Sequence, residues 1–305
     1  MAEAFSHLRV SSEYSISQGL LTIDQIIQNA IKHSIPSVAL TDKSNMFGLV
    51  KFFQKCESNG IKPISGSSIN VIFDSDDMSH ELLCLAKSNE GHKNLMKLIS
   101  HAHNNHSYNN PIISFSDLKN FANDIIVISG GKGSHIFELI KREKISEAEN
   151  KLDNFLEIFK DDFILEVQKT DREDEQEYFS KILPLAFSKS IPLVATNDVL
   201  FSEANDFDIH ETKVCINTGK TLNDPNREKI FSREQYFKSS SDMVDIFKDY
   251  SELIGNTNEI AKKCNVSLHS SSYFLPEYPV PQEHNFDSFL RDLAHKKLKI
   301  HIKKY

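Results

Sequence analysis

Over 305 residues, 35 Lys and Arg stand against 43 Asp and Glu, and the formal net charge of −8 argues against a chain that grips nucleic acid across its whole face. A hydrophobic fraction of 39% is above that of a disordered chain and can fill one large α/β barrel or two ordinary domains. No apolar run approaches the roughly 20 residues that span a bilayer, and the opening MAEAFSHLRV lacks a basic start followed by an apolar stretch, so the expectation is a cytoplasmic chain with no membrane partner.

Thr22 and Gln25 have capping-box spacing, and Ile23, Ile26, Ile27, Ala30 and Ile31 then recur as one helical stripe. Pro36 breaks that helix, and residues 38–40 read as a short buried strand with Thr41-Asp42 just past its end. A second helix carries Met46, Leu49, Val50, Phe53 and Cys56, with Gly60 as its stop, and a strand follows at 62–65. The rhythm repeats with a strand at 82–86, a helix holding Leu95, Met96, Leu98 and Ile99, and a strand at 125–128 that ends in Ser129-Gly130-Gly131. A helix with Ala148, Leu152, Phe155, Leu156 and Phe159 leads to a strand at 163–167, and another helix precedes a strand at 191–195. Such β-α repeats with near-continuous apolar strands predict an α/β fold with a parallel sheet and outer helices, closed as a barrel or open and doubly wound. Beyond Asp198 the spacing predicts helices at 203–216, 231–247 and 256–264. SSSYFLPEYPVPQE, with Pro276, Pro279 and Pro281, reads as a linker, after which Phe286, Phe289, Leu290, Leu293 and Leu298 open a new amphipathic helix.

In folds of this class chemistry gathers at the carboxyl ends of strands. His7, Asp42, residues 66–68, Ser129, Glu166 and Asn197-Asp198 all read as lying there, either lining a pocket or capping the next helix. Thirteen His and many carboxylates make a metal hydrolase the first candidate. Against it, Arg9, Lys43 and Lys169 sit beside His7, Asp42 and Glu166. These cations are expected to replace metal charge and neutralise the three groups by ion pairing. Phosphate-loop, G-x-S-x-G and H-E-x-x-H motifs are absent. SGGKGSH reads as a tight strand-to-helix turn, the His101, His103 and His106 tract as solvated loop, and HKKLKIHIKK as a helix's outer face. Cys56, Cys84, Cys215 and Cys264 are too dispersed for a zinc site or disulfide framework.

FSHLRVSSEYSISQGL and IPSVALTDKSNMFGLVKFFQKCESNGIKPISGSSINV, continued by LLCLAKSNEGHKNLMKLIS, IPLVATNDVLF, TGKTLNDPNR and YFLPEYPVP, resemble the start of the bacterial DNA polymerase III alpha subunits, the replicative polymerases. The resemblance implies a PHP (polymerase and histidinol phosphatase) domain over residues 1–270, a distorted (β/α)₇ barrel. Residues 271–305 would be a linker and the truncated entry to the polymerase palm and thumb region. Carried over position by position, His7, Asp42, Glu166, Asp198 and His210 keep ligand-capable types, whereas Arg9, Ser11, Lys43, Ser68, Lys169 and Leu200 replace His or Glu, and Gln18 stands where an acid is common. The implied site is a vestigial pocket of His7, Arg9, Asp42, Lys43, Glu166, Lys169, Asp198 and His210, with no catalytic residue and no metal. Mg²⁺ is expected only in the absent palm. The resemblance further implies a nucleotidyltransferase as the full-length protein. It implies an inactive fragment that docks the proofreading exonuclease subunit among other replicase subunits, and DNA held mainly by absent domains. A metal-dependent PHP phosphoesterase or 3′–5′ exonuclease, and a direct DNA-binding module, are the alternatives.

Overall fold

Capping chemistry starts the first helix where the spacing places it. In the computed structural model, which describes residues 4–73, 78–105, 111–269, 275–276 and 278–303, the Gln25 N–H donates to the Thr22 hydroxyl at 3.2 Å, and the Thr22 N–H donates to the Gln25 side chain at 2.9 Å. Helix α1 (Ile23–Lys32) buries Ile23, Ile26, Ile27 and Ala30, while Ile31 faces outward. There follow β1 (Ser37–Leu40), α2 (Leu49–Ser58), β2 (Lys62–Ile72), β3 (Ser79–Ala86), α3 (Asn89–Asn105), β4 (Ile112–Ser114), α4 (Phe115–Leu118), β5 (Ile125–Ile128), α5 (His135–Lys141), α6 (Ile145–Phe159), β6 (Phe163–Gln168), α7 (Glu175–Ser188), β7 (Leu193–Thr196), α8 (Phe207–Thr218), α9 (Ser240–Ile246), α10 (Ser251–Lys263) and α11 (Phe286–Ile302).

The strands pair in the order β1-β2-β3-β5-β6-β7, with β4 attached to β2. The N-terminal segment closes the ring. His7 bridges Val38 of β1, and Val10 bridges Val199 just beyond β7. The Ala39 N–H donates to the His7 carbonyl at 2.7 Å, and the Val199 N–H donates to the Arg9 carbonyl at 3.1 Å. Counting this segment, seven staves make the distorted α/β barrel expected from the resemblance.

The all-parallel expectation fails at β3, which runs antiparallel to both β2 and β5. β2 does not stop near residue 65; it continues to Ile72, and an antiparallel return needs no crossover helix. Residues 66–68 therefore lie inside a strand rather than at its end. Two further expectations are corrected. Only Ser240–Ile246 of the 231–247 stretch is helical, because the helix starts at the Ser239–Asp242 capping box, and Tyr236 upstream bridges Phe201 instead. His101 and His103 lie on α3 rather than in a loop, and His106 lies outside the described residues.

Strand alternation sorts the lumen into two layers. Leu8, Ala39, Ile64, Leu83, Leu85, Ile126, Ile128, Ile164 and Val194 form one apolar cluster with Ile260 and Ala261 of α10, which floors the barrel, and with Cys264 just past its end. The alternate strand residues, such as Ile125, Val127, Leu165 and Val167, pack outward under the helices. The next inward positions toward the far end are Glu166, Gln168 and Thr196. Because β3 is reversed, its beginning, Glu81, arrives at that same end. Met1–Leu268 and His269–Tyr305 form two compact units, the second containing α11.

Candidate functional site

Arg9 leaves the closing segment and enters the polar layer. Its Nε–H donates to Asp198 Oδ1 at 2.9 Å, its Nη1–H to Glu166 Oε2 at 3.1 Å, and its Nη2–H to the Glu81 carboxylate. The Arg9 side chain is 8% exposed and that of Glu166 fully buried. Arg172 takes the other side of Asp198 at 3.2 Å and reaches Glu175 at 2.9 Å and Gln168 at 2.5 Å. Gln168 Nε2–H donates to Glu166 Oε1 at 3.0 Å, the Thr196 hydroxyl donates to the same oxygen, and Gln235 Nε2–H donates to Asp198 Oδ2 at 2.8 Å. Around these groups lies a cleft of about 300 Å³, with Gln18, Lys43, Lys132 and Phe231 on its walls. The turn at Gly130 seals one side. Its φ of +94° suits glycine, and a Cβ there would stand 2.0 Å from the Glu81 carbonyl oxygen.

Electrostatics separates the acids. Burial alone would weaken the Arg9 charge, but Glu166, Glu81 and Asp198 outweigh it and hold the guanidinium well above its ordinary value. Burial also opposes ionisation of Asp198, yet Arg9 and Arg172 pull its pKa below the usual carboxylate value. Glu166 ends on the other side, because burial raises it more than Arg9 and Thr196 lower it. Two guanidiniums face four carboxyl groups, Glu81, Glu166, Glu175 and Asp198, so the site has no cationic excess.

The other residues singled out in the sequence lie in different surroundings. Asp42 is buried, but neither Lys43 nor Arg9 pairs with it; it accepts from the Ser12 N–H and hydroxyl at 2.7 Å each and from the Ser15 hydroxyl at 2.6 Å. Burial raises its pKa, and these hydrogen bonds only partly offset the rise. Lys43 makes no ion pair among the described residues. Lys169 does not reach Glu166, for period-two geometry turns the residue after Gln168 away from the lumen. Its ammonium instead lies 5.1–5.6 Å from the ring centres of Phe179, Phe247 and Tyr250 and donates to the Ile246 carbonyl at 3.3 Å. His7 packs on Phe5 and Phe237 and donates from Nε2 to the Lys238 carbonyl at 2.9 Å. Burial takes its pKa down to about 4, so the ring is neutral without a cationic partner. His210 is fully buried among Phe201, Phe207 and Phe231, and burial lowers its pKa as well. Of the three ion pairs expected, only the one to Glu166 forms, and Arg9 supplies it.

Arg172, Glu81, Gln168, Thr196 and Gln235 were missed from sequence. The Glu166/Gln168 and Val194/Thr196 alternations carried a signal for two of them. Glu81 is invisible to a strand that starts at residue 82, because β3 in fact begins at Ser79, and Arg172 and Gln235 reach the site from irregular chain.

Residues 7–170 match the family model described as the PHP domain. The chain belongs to the PHP domain family. It is 38% identical over 293 residues to the DNA polymerase III subunit alpha of Pseudomonas aeruginosa, covering 95% of this chain and 25% of that one. Against the subunit alpha of Escherichia coli K12 it is 38% identical over 278 residues, with 90% and 24% covered. This PHP chain thus spans about a quarter of the length of the relatives it matches. Among solved structures, a putative metal-dependent phosphoesterase from Bifidobacterium adolescentis aligns at 14% identity and a TM-score of 0.42, covering 64% of this chain and 86% of that one. The residues gathered here do not fit the metal cluster that the resemblance attaches to intact PHP sites. The Arg9 guanidinium already takes an oxygen from each of Glu81, Glu166 and Asp198, and no group of three or more His, Cys, Asp or Glu among the described residues is arranged to hold an ion. No described helix is long and apolar enough to cross a membrane.

Proposed function

We propose that this chain is the PHP domain of a bacterial replicative polymerase alpha subunit, with residues 1–270 as that domain and 271–305 as the linker and start of the palm and thumb region. In this reading its pocket is metal-free and catalytically inert, and the domain is a cytoplasmic scaffold that docks the proofreading exonuclease subunit. The whole protein is then the DNA-directed polymerase, a nucleotidyltransferase whose Mg²⁺ and principal DNA contacts belong to regions beyond this chain.

The observation that carries the reading is the position of Arg9. A buried guanidinium in contact with three carboxylates supplies positive charge where a divalent ion would otherwise be needed to make those acids tolerable. It cannot polarise a water into a nucleophile as a metal does. The identity to polymerase alpha subunits over nearly the whole chain supports the assignment to a replicase.

Metal analysis of chain purified without chelator, coupled to pull-down of the exonuclease subunit, tests both halves. The expected result is well under one equivalent of Zn, Mn and Fe together, with the exonuclease retained. Two or three bound metals per chain would overturn the metal-free pocket. Failure to retain the exonuclease would overturn the docking role.

A further inference from the structure

At the end of the barrel where β7 begins, away from the Arg9 cluster, the last turns of α7 and the start of α10 leave a groove of about 400 Å³. Leu183, Ile191, Leu193 and Leu253 give it apolar wall, with the polar side chains of Ser251 and Asn256 beside them. At its lip stands Phe187, 90% exposed. A large aromatic held that far into water loses the burial that would reward it, and such residues concentrate at the centres of protein interfaces. The rim has one sign of charge. Asp249 and Glu252 border the groove, both are exposed, and neither makes an ion pair among the described residues. No Lys or Arg lines it. Glu252, in the first turn of α10, suits the positive end of that helix, and Asp249 lies two residues before the helix begins.

We propose that this groove docks a basic segment of a separate protein chain, which inserts an aromatic or aliphatic side chain against Phe187 and sets Lys or Arg beside Asp249 and Glu252. The apolar walls supply affinity, and the carboxylates select the sign of the partner and speed its approach. The inference does not depend on the reading of the barrel mouth, which lies at the other end.

Panning a phage-displayed library of short random peptides on the intact chain tests it, with fluorescence anisotropy of the enriched peptide made synthetically. Enriched peptides are expected to combine net positive charge with an aromatic or aliphatic residue. Their affinity is expected to fall at least roughly tenfold in Phe187→Ser, and by a similar factor in the double variant Asp249→Lys, Glu252→Lys. Phe187 is almost wholly in water, so its replacement leaves the core intact, and circular dichroism of both variants checks this. No enrichment, enrichment of acidic peptides, or an affinity indifferent to Phe187→Ser would overturn the proposal. So would a dimer in sedimentation that Phe187→Ser abolishes, because the groove would then belong to a second copy.

Discussion

Asp42 and Asp198 stand just past β1 and β7, the two strands that flank the closing N-terminal segment, 1% and 8% exposed, and the fold accommodates them by different means. Asp198 lies between two guanidiniums, which more than offset its loss of water and keep it ionised below its usual pKa. Asp42 has only hydroxyls and a backbone N–H; these dipoles recover part of the lost hydration, and its pKa rises. Both acids have several partners at hydrogen-bond distance, yet their pKa values move in opposite directions. For these two aspartates a pair of full cations, and not the number of hydrogen bonds, sets the direction of the shift.

Removing the cation should have the largest effect. Arg9→Met leaves Glu81, Glu166 and Asp198 without their common partner, and an orphaned buried charge costs ~3–5 kcal/mol. Urea denaturation at neutral pH should show that loss. It should shrink on acidification, since the orphaned acids can then take protons. Arg172→Met is expected to cost less, because Asp198 keeps Arg9. An Arg9→Met variant within about 0.5 kcal/mol of the parent would reduce the cluster to ordinary surface charge.

The two aspartates should then part company with pH. Asp198 has a folded pKa below its ordinary 3.8, so its contribution is present above that value and is lost as pH falls through the folded pKa. Asp42 has a folded pKa above 3.8, so its contribution is present below that value and is lost as pH rises through the folded pKa. The parent's advantage over Asp198→Asn, ~2–3 kcal/mol at neutral pH for a buried charge-assisted pair, should therefore narrow in acid. Its advantage over Asp42→Asn should widen there. Denaturation curves of the three proteins across the acidic range decide it, and parallel trends for the two variants would contradict the difference drawn between their environments.

The fold and the site were legible to different degrees for a physical reason. Periodicity reports which face of an element is buried, so the α1 stripe and the β-branched run of β5 could be read directly. Strand direction is not written in periodicity. The antiparallel β3 was missed, and with it Glu81, which reaches the mouth only because β3 is reversed. Sequence adjacency also proved a poor guide to ion pairing. Lys43 follows Asp42 and Lys169 lies three residues beyond Glu166, but the chain turns both away from their presumed acids. The cation that works, Arg9, reaches Glu81, Glu166 and Asp198 across 72, 157 and 189 residues of sequence. Such a network is a property of closure, and a linear reading can propose its chemistry without finding its members.

Lys169 and Lys43 give the finest test of that distinction. Both looked alike as pocket cations, but Lys169 lies among three aromatic rings of the outer layer and donates to Ile246, which ties β6 to the α9–α10 region. A cation–π contact in a partly dry setting is worth ~1–2 kcal/mol, so Lys169→Met should lower stability by about that amount. The effect should be insensitive to acidification, because no carboxylate shares the contact. Lys43→Met should stay within ~0.5 kcal/mol. Thermal melts of the two variants at neutral and mildly acidic pH make the comparison. If Lys43→Met were the more damaging, or if the Lys169→Met loss faded in acid as an ion pair would, then sequence adjacency would have identified the right pairs after all. The Arg9 cluster would then share its electrostatic role with Lys43 or Lys169.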